Sequence, residues 1–178
     1  MDDKPIEKII HVEEQFIEKI ADNMHTYGVS TTVGRVLGII YMNRKPMTLD
    51  ELSQATGMSK TRMSQVVREM VDLNIAEKVF EKGNRKDLYN VEQDYYQTFI
   101  SLFTSNWQKA IQKNKMFEKR LSAEIKSIQE SETINDEMEQ KLNDLLKETK
   151  EWLDYYHWLA RLVDFFHSGE VFKHVPKL

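Results

Sequence analysis

The stretch 57-GMSKTRMSQVVREM-70 carries three basic residues and one acidic residue, in a chain whose formal net charge is −4. On a helix, at about 100° per residue, Met63, Val66, Val67, Met70 and Val71 share one side. Thr61, Ser64, Gln65 and Arg68 share the other, flanked by Lys60 and Arg62. Ser59 stands at the N-cap position, which leaves first-turn amides open to a phosphate. The apolar side is a packing face. The polar side suits a major groove, because Arg and Gln make paired hydrogen bonds to guanine and adenine edges, and Ser and Thr donate or accept. An ordinary solvated face has a similar composition, so the surrounding sequence decides.

Immediately upstream, 46-PMTLDELSQATG-57 reads as a short extended piece, a cap at Thr48 with Glu51 three residues on, and a brief helix stopped at Gly57. Leu52, Gly57, Met58, Met63 and Val66 have the spacing of a helix-turn-helix, with a turn glycine between apolar positions that pack one helix on the other. Downstream, 76-AEKVFEKGNRKDLYNV-91 places strand-like Val79-Phe80 and Leu88-Tyr89-Asn90-Val91 around Lys82-Gly83-Asn84-Arg85. This predicts a hairpin with Lys82, Arg85 and Lys86 near its tip, placed as a wing that contacts phosphates or a minor groove. Charge is segregated in the same sense. From 58 to 86 there are seven basic residues and four acidic ones, a net +3, which leaves −7 for the rest of the chain. Together these features favour sequence-specific binding of double-stranded DNA by Ser59, Lys60, Thr61, Arg62, Ser64, Gln65 and Arg68 from the helix, and by Lys82, Arg85 and Lys86 from the wing.

Helical arms flank this centre. Pro5 fits a first helical turn, and Ile6, Ile9, Ile10, Phe16, Ile17, Ile20 and Met24 recur at helical spacing up to Gly28. After Ser30-Thr31-Thr32, a second helix carries Val33, Val36, Leu37, Ile40 and Tyr41 and ends near Asn43, ahead of Pro46. Beyond Asp94 there is no Gly until 169 and no Pro until 176, which predicts two long helices, about 94–130 and 134–168, with 131-SETIND-136 as the break. Apolar stripes on more than one side of such helices call for a partner surface, so the expected state is a homodimer. The fold class is mainly α: a winged helix-turn-helix with long N- and C-terminal dimerisation helices and one small β-hairpin wing. The expected division is a dimerisation helix over 1–30, a DNA-binding domain over 31–93 and a helical dimerisation region over 94–178.

Several function classes are disfavoured. With no cysteine there are no disulfides or thiolate metal sites, which fits a cytoplasmic protein. The five histidines contain no i, i+3 or i, i+4 pair, so no metal or other cofactor is expected. There is no Gly-rich phosphate loop, nucleophile elbow or obvious acid–base pair, which argues against an enzyme and leaves no catalytic residue to name. No window reads as a signal peptide or a membrane span.

The chain resembles the MarR superfamily of dimeric winged-helix repressors. More closely, 31-TTVGRVLGIIYM-42, 47-MTLDELSQATGMSKTRMSQVVREM-70 and 84-NRKDLYNVEQDYYQTF-99 look like its GbsR-type branch. The resemblance spans essentially the whole chain and is most specific from 27 to 107. It implies a repressor that responds to choline, with glycine betaine as a second candidate, and that controls choline uptake and glycine betaine synthesis genes in osmoprotection. The wing departs from the common pattern, since 83-GNRKDLYNV-91 has no acidic residue immediately before its arginine. The wing role therefore carries over first to Arg85, and less to Lys82 and Lys86.

The aromatic residues bear on a ligand. Tyr95, Phe99, Phe103 and Trp107 follow one another at i+4 with Tyr96 beside them, and Trp152, Tyr155, Tyr156, Trp158, Phe165 and Phe166 crowd the last long helix. Core and dimer packing accounts for most such stripes. The alternative is a cage for a quaternary ammonium, which has no N–H to donate and is recognised by ring faces, each worth roughly 0.5–2 kcal/mol. In MarR-like proteins ligands commonly sit between the DNA-binding lobe and the dimer helices. Here that implies the second helix and the start of the fifth: Tyr41, Tyr95, Tyr96, Phe99, Phe103 and Trp107. Two alternatives stay open: a MarR-like repressor for a different aromatic or lipophilic ligand, and a non-sensing helical interaction protein.

Overall fold

The structure is a computed structural model that describes residues 4–83, 85–131 and 134–178. Asn84 of the hairpin tip and positions 132–133 of the expected break lie outside the described residues. Contacts divide the chain into two compact units, 1–102 and 103–178.

In the first unit, helix α1 (Lys4–Met24) starts beside Pro5 and passes into a single 3₁₀ turn, His25–Tyr27. That turn closes at Gly28, whose φ of 71° is a left-handed value open to glycine without strain. Helix α2 (Thr31–Asn43) is capped by Ser30, whose hydroxyl accepts from the Val33 N–H at 3.3 Å. The two helices approach closely because α2 presents Gly34 and Gly38 to α1. A Cβ at Gly34 would lie 2.7 Å from the Ala21 Cα, and one at Gly38 3.2 Å from the Ile17 Cα.

Strand β1 (Met47–Thr48) leads directly into helix α3 (Leu49–Thr56), and helix α4 (Lys60–Asp72) follows the turn. Thr48 and Glu51 form the expected capping box, and Gly57 ends α3 at φ 70°. Strands β2 (Ala76–Val79) and β3 (Leu88–Val91) make the hairpin, and β1 adds to it, giving the antiparallel order β1-β3-β2. The β1 pairing goes beyond the expected two-stranded hairpin. The register sets Ala76 opposite Val91 and Val79 opposite Leu88. The second strand thus starts earlier than the 79–80 expected and stops at Val79, leaving Phe80 past the ladder and 90% exposed.

The core of this unit joins Val33, Val36, Leu37 and Ile40 of α2 to Leu52 of α3 and to Met63, Val66, Val67 and Met70 of α4. Ile75, Val91 and Leu102 close it. Each such buried side chain contributes roughly 1.5–3 kcal/mol relative to exposure.

Helix α5 (Tyr95–Ser131) begins in the first unit. The Asp94 carboxylate accepts from the Tyr96 N–H at 2.8 Å and so satisfies a first-turn donor. The second unit contains the remainder of α5, helix α6 (Asp136–His167) and a short helix α7 (Val171–His174) that the sequence reading did not anticipate. Asn135 caps α6 by accepting from the Met138 N–H at 2.9 Å. Ile111 of α5 packs with Leu159 and Val163 of α6, and Phe103, Trp107 and Tyr156 rest on that cluster. Among the described residues no helix is long and apolar enough to cross a membrane.

Candidate DNA-reading surface and ligand cavity

Helix α4 divides as its spacing predicts. Met63, Val66, Val67 and Met70 are 0–1% exposed, whereas Lys60, Thr61, Arg62, Gln65 and Arg68 are exposed and Ser64 is half-buried. Val71 is the exception: the wheel places it inward, but it is 38% exposed while Met70 and Leu73 of the same turn are buried. The Ser59 hydroxyl accepts from the Arg62 N–H at 3.2 Å, as an N-cap does. The preceding turn is held by the Ser53 hydroxyl donating to the Met58 carbonyl and by the Met58 N–H donating to the Thr56 hydroxyl at 3.2 Å. The entry to α4 is therefore fixed by short-range polar contacts. Its outward face remains open.

The basic residues fall into two groups. Arg62 donates to the Gln65 side chain, and Arg68, Lys82 and Arg85 have no ionic partner among the described residues. By contrast, Lys78 pairs with Asp87 across the wing at 2.8 Å. Asp50, in the first turn of α3, pairs with both Lys60 at the start of α4 and Lys86 of the wing, the latter at 2.8 Å. Hydrogen bonds from Lys60 and then Lys86 hold the Asp50 carboxyl below its ordinary pKa, and Asp50 in turn raises that of Lys86. Two of the ten predicted DNA-contacting residues are thus joined through a carboxylate that the sequence reading did not single out.

A second feature lies inside the first unit. A cavity of about 150 Å³ is walled by Ile20, Asn23 and Met24 of α1, Tyr27 of the 3₁₀ turn, and Leu37 and Tyr41 of α2. Glu92 and the first two turns of α5 (Tyr95, Thr98, Phe99, Leu102) complete it. The Tyr41 and Tyr95 rings lie 4.8 Å apart between centroids and their hydroxyls are hydrogen-bonded; Tyr27 meets Phe99 edge-on at 6.2 Å. Desolvation and then the Tyr41 hydrogen bond push the Tyr95 phenol up to about 12, so it stays neutral at physiological pH. The Arg44 guanidinium sits over the Tyr41 ring, 4.4 Å from its centroid, and donates to the Gln93 side chain at 2.6 Å.

Of the six cage candidates, the structure brings Tyr41, Tyr95 and Phe99 to this cavity. Tyr96 is 41% exposed on the adjacent turn and does not line it. Phe103 and Trp107 belong to the packing cluster of the second unit, where Phe103 lies 4.8 Å from Phe166. Sequence reasoning missed Tyr27, Asn23 and Glu92, which have no helical-stripe relation to the others and join them only through tertiary folding.

Comparison with known proteins fits this geometry. Residues 27–87 match the MarR family, and residues 95–173 match the GbsR family transcriptional regulator, C-terminal helical hairpin. Over 177 residues, 99% of this chain and 98% of its relative, the chain is 32% identical to the HTH-type transcriptional repressor GbsR of Bacillus subtilis (strain 168). The chain belongs to the GbsR family of MarR-type transcriptional regulators. Two relatives from the same organism are more similar. The putative HTH-type transcriptional regulator YvaV is 66% identical over 177 residues, 99% of both chains. The HTH-type transcriptional repressor OpcR is 68% identical over 169 residues, 95% of this chain and 91% of that one. A solved structure described as a transcriptional regulator superposes with a TM-score of 0.60 at 14% identity, covering 89% of this chain and 97% of its own, and so shares the fold. As a GbsR-family regulator the chain is not an enzyme.

Proposed function

We propose that the chain is a homodimeric repressor whose grip on a DNA operator is altered by a small quaternary ammonium ligand. Two copies of α4 enter successive major grooves of a pseudo-palindromic site. Thr61, Arg62, Ser64, Gln65 and Arg68 face the bases, and Ser59, Lys60, Lys82, Arg85 and Lys86 face the phosphates. Residues 31–93 serve as the reading head, while 1–30 and 94–178 supply the dimer contacts. The apolar faces left open in the monomer support the dimer: Ile6, Ile9, Ile10 and Phe16 of α1 are half exposed or more, and Trp152, Tyr155 and Trp158 of α6 nearly so. Such a regulator works in the cytoplasm, where its operator is.

The observation that carries the DNA reading is the split of α4, with four apolar side chains at 0–1% exposure and an open Gln65–Arg68 face beside the basic wing. For the ligand, the support is the cavity. An apolar space of about 150 Å³ takes a benzene-sized guest, which is also the scale of a trimethylammonium group. Tyr27, Tyr41, Tyr95 and Phe99 supply ring faces, and Glu92 supplies a nearby carboxylate. Choline is the first candidate and glycine betaine the second, with choline uptake and glycine betaine synthesis genes as targets. A ligand that fits one dimer geometry better shifts operator affinity by the coupling free energy, typically about 1–3 kcal/mol.

Two measurements test this reading. Operator selected from random duplexes, titrated by gel shift, loses binding to Arg68→Ala and Gln65→Ala while both variants still dimerise; unchanged shifts for both refute the assignment of α4. Calorimetry with choline, glycine betaine and salicylate tests the cavity. Binding of salicylate with no response to either quaternary ammonium makes the chain a sensor of small aromatics instead.

A further inference from the structure

Asp50 stands between two lysines of the proposed DNA-contacting surface. It belongs to α3, which the DNA reading does not use, yet its two carboxylate oxygens are taken by the ammonium groups of Lys60 and Lys86. One of these opens α4 and the other belongs to the wing, so a single carboxylate ties together the two elements meant to approach the duplex. Its side chain is 36% exposed and those of both lysines more than 60%, so the trio is within reach of solvent and of a polyanion. Local structure anchors the carboxylate from behind. Asp50 sits one residue before Glu51, whose side chain accepts from both the N–H and the hydroxyl of Thr48 at 2.7 and 2.8 Å, which holds the first turn of α3 in place.

We propose that Asp50 is a positioning residue acting as an internal phosphate mimic. It holds the start of α4 and the wing at a set spacing, and it competes with DNA phosphates for Lys60 and Lys86. This rests on the assignment of α4 and the wing to DNA. Duplex bound without regard to sequence has to draw two lysines from a carboxylate already in place. An operator adds base contacts through Gln65 and Arg68, which a random duplex lacks. Because Lys60 and Lys86 meet phosphates in either duplex, the ion-paired trio lowers affinity for operator and random DNA by similar factors, and Asp50 sets the strength of the backbone contacts through charge.

The test compares the full chain with Asp50→Asn, which keeps shape and removes the charge, and with Asp50→Glu, which keeps the charge. Affinities for operator and for a random duplex are measured by fluorescence anisotropy between about 50 and 200 mM salt, a range over which backbone contacts are read from the slope of log K against log salt. Neutralising Asp50 frees about one net positive charge. The slope for random DNA then steepens by about 0.9, and affinity near 0.1 M salt rises about five- to tenfold. Operator affinity rises by a similar factor, so the ratio of the two is kept. Asp50→Glu retains the wild-type slope, and adding Lys60→Gln and Lys86→Gln to Asp50→Asn removes the gain. Wild-type and Asp50→Asn proteins with the same slope and the same random-DNA affinity overturn the proposal while leaving the DNA reading intact. A wild-type chain that binds no duplex at all defeats the reading on which it rests.

Discussion

Replacing Gly34 with alanine tests the wall between α1 and α2 with a single carbon atom. Built on the existing backbone, the new Cβ lies 2.7 Å from the Ala21 Cα, 2.9 Å from the Ala21 carbonyl oxygen and 3.0 Å from the Met24 Cβ. The two nearest are backbone atoms, so no side-chain rotation relieves the clash. Reaching an ordinary contact distance of 3.4 Å from the Cα requires the helices to part by about 0.7 Å. A gap of that size forfeits about a quarter to a half of the dispersion well for each atom pair along the seam. Overpacking of this kind costs about 1–3 kcal/mol, and contact with backbone puts Gly34 toward the upper end. Alanine recovers about 1 kcal/mol as the better helix former. The expected net loss is about 1–2 kcal/mol, or about 2–8 °C in Tm for a chain of this length. Gly38→Ala, whose Cβ would stand 3.2 Å from Ile17, costs less. Because Ile20, Asn23 and Met24 of α1 face Leu37 and Tyr41 of α2 across the cavity, the proposed function has parting of the helices also weaken binding of choline. Thermal unfolding and calorimetry with choline measure both effects. A Gly34→Ala protein more stable than wild type, with unaltered ligand affinity, refutes the close seating of α2 on α1.

Four further outcomes follow from particular residues. Thr48→Ala removes the hydroxyl half of the α3 capping box, leaves the backbone N–H of residue 48 bonded to Glu51, and destabilises the chain by about 1 kcal/mol in urea unfolding. The hydrogen bonds from Thr48 hold the Glu51 carboxyl below its usual value, so its contribution is present above the unfolded carboxyl pKa and is lost as pH falls through the lower folded one. Stability measured from pH 7 downward therefore declines more steeply below about pH 4.5 in wild type than in Glu51→Gln. For Tyr95 the sign is opposite: a folded pKa of about 12 against the usual 10.0 favours the fold fully below pH 10, and that contribution fades as pH rises toward 12. A tyrosinate absorbance titration compared between wild type and Tyr41→Phe shows a late-ionising phenol that moves earlier in the variant; a Tyr95 pKa at the usual 10.0 contradicts its interaction with Tyr41. Lys82→Ala and Arg85→Ala weaken operator and random duplex by similar factors and each lower the salt slope by about one, in contrast to the operator-selective loss from Gln65→Ala.

What could be read from the sequence follows the range of the forces involved. Ser30, Thr48, Ser59 and Gly57 mark helix ends correctly because a cap is satisfied within three or four residues. The inward face of α4 was legible for the same reason: Met63, Val66, Val67 and Met70 repeat at the helical period. Longer-range effects were not. Two residues of β1 carry no strand periodicity of their own and become a strand only because β3 is there to pair with them. The i+4 series from Tyr95 to Trp107 looks uniform along the helix, yet Tyr95 and Phe99 line the cavity while Phe103 and Trp107 pack in the second unit. Periodicity reports which face of a helix a ring occupies and is silent on what that face meets. The Asp50 link spans 36 residues to Lys86 and leaves no local trace.

Arg44 shows how selection for robustness and selection for response can pull apart at one position. It is a non-glycine residue at φ 57°, ending α2 in a left-handed conformation that costs an L-residue about 1–2 kcal/mol. Glycine relieves that strain, so a screen for thermostable variants enriches Arg44→Gly. The same replacement strips the cation from the Tyr41 ring and severs the tie to Gln93, just before Tyr95 enters the cavity. A sturdier protein obtained in this way has no cation over Tyr41, a ring that lines the cavity, and on the proposed function its threshold for ligand drifts as its melting temperature climbs.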